Sequence, residues 1–249
     1  MSARSRADAR DTLRAALTCA VEEEIIARNP AAVVRLPAPH TRKRRWWTVD
    51  EARQFLESSR RDQESLYAAF VLILVLGLRK GEVLGLTWEL VNLDDAELYV
   101  SEQVQRVGNE LLRRQVKTGT SEAPLPLPEL CVAALKFRRD QQDADRGRAA
   151  GKWVDTGLVF TTRHGTAVEP RNFSRSFDRC IRKARVPRIT VHGTRKTCGS
   201  LLAALDVHPR VAMQTLRHSK IAVTMEIYTE VPSAATRDAL KKLGQWLGS

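Results

Sequence analysis

The sequence predicts a mainly α-helical chain carrying a small three-stranded antiparallel β-sheet, an α+β fold. Three observations point there. Apolar residues recur at helical spacing along Leu13, Ala16, Leu17, Ala20, Val21 and Ile25, and again through residues 66–75. The period then changes over residues 97–127, where strand-like stretches are divided by Gly108-Asn109 and by a turn at Gly119. Beyond Pro128 helical patterns return.

Taken in order, the first stripe stops at Asn29-Pro30, a pair that disfavours further helix. One amphipathic helix cannot bury its own stripe, so it needs a neighbour. Residues 36–45, LPAPHTRKRR, hold two prolines and end in four basic residues, and they read as an extended linker. Thr48 with Glu51 fits a capping box that starts the next helix. Helices are expected over 51–58 and 66–75, strands over 97–107, 110–116 and 122–127, and helices again with breaks at Gly151, at 161–170 and at Pro187. Residues 200–216 have the apolar spacing and central turn of a helix-turn-helix, and a regulator could use such a segment in the major groove.

With 249 residues and 43% hydrophobic content, the chain suits one large domain or two modest ones with a proper core. A formal net charge of +12 and a pI near 10.1 call for a polyanionic partner, and nucleic acid leads membrane. No apolar run approaches the roughly 18–20 residues that span a bilayer, and MSARSRADAR lacks the apolar core of a secretory signal. Cys19, Cys131, Cys180 and Cys198 form no CxxC pair and read as reduced, buried thiols of a cytosolic protein.

Six side chains stand out, each inside a local word: Arg79 in GLRKGEVLGLTW, Lys117 in VKTGTSEAPLPLP, His192 and Arg195 in HGTRKT, and His218 and Tyr228 in LRHSKIAVTMEIYTEV. Their types suit phosphodiester cleavage by a protein nucleophile. That reaction needs an attacking oxygen, charge neutralisation at the phosphorane and a proton for the departing hydroxyl. Arginines offer forked donors matched to phosphate oxygens, and lysine is a flexible point charge with a proton to give. His192 and Arg195, three apart, share one helix face. Of three tyrosines, Tyr67 and Tyr99 fit as packing residues, whereas Tyr228 follows a polar segment ten positions after His218.

In order, spacing and residue types these words resemble the catalytic domain of the tyrosine recombinases, the phage-integrase family, from Trp46 to Val231. The departures are Gly193, Thr194 and Lys196 in the HxxR word and Glu122-Ala123 after the KTxxS pattern. The resemblance implies the fold of that domain. It also implies residues 1–35 as the last helix of a core-binding domain, 36–45 as a linker whose Arg42, Lys43, Arg44 and Arg45 contact DNA phosphates, 46–231 as the catalytic domain and 232–249 as a tail helix. Its mechanism makes Tyr228 the nucleophile, Arg79 and Arg195 the phosphorane stabilisers, His218 a hydrogen-bond partner, Lys117 the acid and His192 an aid to proton transfer. It calls for neither metal nor other cofactor. The implied partners are double-stranded DNA at attachment sites and further copies in a tetramer, with room for an accessory DNA-bending or excision factor, in the cytoplasm at the nucleoid. Two other readings remain: a type IB topoisomerase that merely relaxes supercoils, and a non-catalytic DNA-binding protein.

Overall fold

The structure, a computed structural model, describes residues 2–37, 45–115 and 124–230. Arg42, Lys43, Arg44, Lys117 and the tail at 232–249 lie outside the described residues. The chain forms two compact units, Met1–Arg44 and Arg45–Ser249.

In the first unit, Ser2 caps helix α1 (Ala3–Glu22) by accepting from the Ser5 N–H at 3.0 Å. The chain turns back through Asn29, whose side-chain amide donates to the Arg14 carbonyl (2.9 Å) and Thr18 Oγ1 (2.8 Å) while its Oδ1 caps a short 3₁₀ turn, η1 (Pro30–Val33). This polar clamp stands where a hydrophobic partner would be expected: Leu13, Ile25 and Val33 are all exposed.

In the second unit, the capping box of Thr48 and Glu51 is present at the start of α2 (Val49–Arg61). Helix α3 (Tyr67–Val75) is buried all round, as expected of a helix apolar on every face. The core centres on Trp47, Phe55, Phe70, Phe173 and Phe177, whose rings meet at 4.8–5.9 Å in tilted and edge-on pairs. Helix α4 (Lys80–Gly85) and a 3₁₀ turn, η2 (Trp88–Leu90), lead to the β region. Beyond it lie α5 (Glu129–Ala149), α6 (Pro170–Ala184), α7 (Val191–Ala204), α8 (Pro209–Leu216) and α9 (Ile221–Glu230).

The β region is divided. A three-stranded antiparallel sheet exists, but its members are the two-residue strands β1 (Val91–Asn92), β2 (Glu97–Leu98) and β5 (Leu125–Pro126), while β3 (Glu102–Val107) and β4 (Glu110–Gln115) form a separate hairpin. The expected strand at 97–107 breaks after Leu98, although the Tyr99 N–H still reaches the Leu90 carbonyl at 2.9 Å. From there β3 is drawn against α4. A Cβ on Gly85 would lie 2.9 Å from the Gln103 backbone, so only glycine admits so close an approach.

Two packing expectations need correction. Tyr99 is exposed, because it points outward between the buried Leu98 and Val100, and Cys19 is exposed on α1. Cys131, Cys180 and Cys198 are buried, and burial pushes their thiols up to about 12, 11 and 12. Among the described residues no helix is long and apolar enough to cross a membrane.

Candidate active site

Arg79 occupies the N-cap of α4, where its backbone N–H donates to Glu82 Oε2 (2.8 Å) and its Nη1 to Glu82 Oε1 (2.7 Å). The Glu82 carboxylate is buried, while the Arg79 side chain stays 45% exposed. Just before it, Gly77 adopts φ +61°, and a Cβ there would lie 2.5 Å from Leu216 Cδ2, so residue type is dictated twice over.

Helix α7 begins at Thr190, whose hydroxyl accepts from the Gly193 N–H (3.0 Å). It is tied to the start of the unit by the Trp47 N–H donating to Thr197 Oγ1 (3.2 Å). His192 lies exposed in its first turn. Arg195, one turn on, is buried and donates to the carbonyls of Gly77 (2.6 Å) and Leu216. Burial first, and then the nearby Arg79, pull its guanidinium down to about 10, so it remains charged at neutral pH.

His218 follows the end of α8, and its Nδ1 is 2.9 Å from Thr224 Oγ1 on α9. Burial, reinforced by Arg195, Arg79, His192 and Arg217, pushes the imidazole down to about 4. The ring is therefore neutral near pH 7 and can donate or accept a hydrogen bond without adding charge.

Two clefts meet at this point. One, of about 490 Å³, includes Arg79, Lys80, Arg188, His192 and Arg195 in its lining; the other, of about 230 Å³, is lined by Arg79, His192, Arg195, Lys196, His218 and residues of α9. Four of the six candidates, Arg79, His192, Arg195 and His218, thus share one cleft wall, made cationic by Arg79, Arg195 and Lys196 against the single carboxylate of Glu226, and suited to holding a phosphate. Lys196, whose role the sequence left open, faces the same space.

Tyr228 is placed differently. Glu226 and Ile227 of α9 line the smaller cleft, but the Tyr228 hydroxyl donates to the Val207 carbonyl at 2.5 Å, in the turn between α7 and α8. Burial raises its phenol above the ordinary value. Lys117 lies outside the described residues, two positions after the end of β4, and Arg45 pairs with Glu51 at 2.7 Å.

A side chain behind the site, Arg217, was also unassigned in the sequence. Arg217 is buried, donates through Nη2 to Glu82 and closes α8 with φ +50°. The word LRHS contains it, but no pattern there tells an inward arginine from a solvated one.

The domain model of the phage integrase family matches residues 45–234. The chain belongs to this family. It is 28% identical over 242 residues to a tyrosine recombinase XerC-like protein of Caldanaerobacter subterraneus, covering 90% of this chain and 61% of that protein. It is also 28% identical over 241 residues to an integrase of Streptomyces ambofaciens, covering 92% and 60%. The chain thus spans about three fifths of the length of these relatives.

In fold it resembles the Tn1549 transposon integrase solved with transposon right end DNA (TM-score 0.80, 22% identity, 100% of this chain and 81% of that one). It also resembles the XerA recombinase (TM-score 0.61, 21% identity, 85% and 70%). The architecture is that of a tyrosine recombinase catalytic domain.

Proposed function

We propose that this chain is the catalytic part of a site-specific DNA recombinase that integrates or excises a mobile element. The observation that carries this is the convergence of Arg79, His192, Arg195 and His218 on one cationic wall in a member of the phage integrase family. In this reading residues 1–35 are the end of a core-binding domain and 46–231 the catalytic domain.

The scissile phosphate sits against Arg79 and Arg195, whose charges stabilise the added negative charge of the phosphorane. The neutral His218 ring hydrogen-bonds a phosphate oxygen. The Tyr228 oxygen attacks phosphorus, its proton leaving toward His192. The bond to the 5′ oxygen breaks, a 3′-phosphotyrosine forms, and the departing 5′ hydroxyl takes a proton from Lys117. The reverse sequence, with another strand's 5′ hydroxyl, rejoins DNA; because the phosphodiester is conserved as a phosphotyrosine ester, no nucleotide hydrolysis is required.

Tyr228 must first exchange its Val207 partner for the phosphate, which places the control of cleavage in α9. Support for a DNA partner comes from the net charge of +12 and from the DNA-bound Tn1549 neighbour. Assembly as a tetramer, with tail exchange between copies and phosphate contacts from the linker, completes the reading.

A supercoiled plasmid carrying one attachment site tests it against the alternatives. Exchange with a second site, and little relaxation of site-free plasmid, supports the recombinase. Relaxation without site preference points to a topoisomerase, and binding without any strand breakage to a simple DNA-binding protein.

A further inference from the structure

Glu82 is shared. Its carboxylate, 1% exposed, accepts from the Arg79 backbone N–H and guanidinium and from Arg217 Nη2. With a single arginine beside it, the buried carboxylate would cancel that arginine's charge. With two, the cluster keeps one positive charge, and the member facing the cleft is Arg79, 45% exposed against 6% for Arg217.

Stability alone is a poor account of Arg217. Its left-handed backbone, φ +50°, also closes helices at Ala150 and Arg185, and glycine would close the same turn without strain, so the turn itself does not ask for an arginine. Burying an arginine costs more than a paired carboxylate reliably returns. Its Nη1 is moreover buried without a hydrogen-bond partner among the described residues. A buried guanidinium with one nitrogen left unsatisfied points to a gain outside folding.

We propose that Arg217 is a positioning residue for phosphate: it neutralises Glu82 from behind, so that Glu82 can orient Arg79 without quenching its charge. This rests on the recombinase reading for its substrate, but not for its electrostatics. The test uses the full chain with Arg217→Met, which fills the space without charge, Arg217→Gly, which also relieves the turn, Glu82→Gln, and the double variant R217M/E82Q. Folding is followed by thermal denaturation.

With a suicide DNA substrate at saturation, R217M and R217G should form covalent adduct about tenfold or more slowly than the parent, with the DNA concentration for half-saturation within about threefold of the parent's. R217M/E82Q, which restores the positive charge at Arg79, should recover at least threefold over R217M. A structural brace predicts the opposite, a double variant no faster than the single one. In a second arm inorganic phosphate is titrated against the His192 and His218 ring resonances; its affinity should fall several-fold in R217M and recover in the double variant.

A parent that forms no adduct while the phosphate arm behaves as stated would overturn the recombinase reading and leave the Arg217 assignment standing. R217M matching the parent in either arm, or a double variant that recovers nothing, overturns the assignment.

Discussion

Replacing Arg195 by alanine withdraws donors from two carbonyls in the interior, those of Gly77 and Leu216. Each unmade bond of this kind costs about 1–3 kcal/mol, so Arg195→Ala should lose roughly 2–6 kcal/mol of stability together with its chemistry. Arg79→Ala should lose less, about 1 kcal/mol, because its side chain is nearly half exposed and Glu82 keeps Arg217. Urea denaturation of both variants decides this, and equal losses would contradict the bracing role of Arg195. His218 makes a second test. Its folded value near 4 lies below the ordinary 6.5, so it contributes stability that is complete above pH 6.5 and lost as pH falls toward 4. His218→Gln should remove that share of the acid loss. By NMR the ring should titrate near 4 in the free protein and higher once DNA is bound, since a phosphate offsets the arginines that depress it; a ring already titrating at its ordinary value without DNA would contradict the cationic pocket.

Among the elements, the turn from α3 into α4 and the α8–α9 junction fix the site. Gly77→Ala should destabilise the chain by about 2 kcal/mol or more, from the left-handed backbone together with displacement of Leu216. Because Leu216 precedes Arg217 and His218, cleavage should fall beyond what the stability loss explains, as single-turnover rates at low temperature would show; a rate matching the parent's would mean that the turn does not position the site. The helices and the capping box at Thr48 were legible in the sequence, since apolar period and cap chemistry are local properties. The division of the β region was not, because nothing in residues 97–107 records that α4 will lie against β3 while β2 pairs elsewhere. The site followed the same divide. That Arg79, His192, Arg195 and His218 belong together was legible through their words, and they do line one cleft, whereas Arg217 depends on which way one side chain turns at a helix end. The Tyr228 bond to Val207 depends on how α9 packs, and no periodicity carries that.

At the scale of the whole molecule, the proposed function together with 41 Lys and Arg residues against 29 Asp and Glu predicts a DNA affinity governed by counterion release. Log affinity should fall linearly with log salt, and neutralising Arg42, Lys43, Arg44 and Arg45 together should flatten that line by roughly one unit of slope for each phosphate contact removed. An unchanged slope would take the linker off the DNA. The central claim, however, is that the cationic wall serves a tyrosine nucleophile carried on α9. The most direct measurement is to trap the protein on a suicide substrate, digest the adduct with nuclease and protease, and map the nucleotide-bearing peptide by mass spectrometry. The account predicts a 3′-phosphonucleotide on Tyr228, absent in Tyr228→Phe and retained in Tyr67→Phe and Tyr99→Phe. A nucleotide on any other residue, or an adduct that survives in Tyr228→Phe, would contradict it.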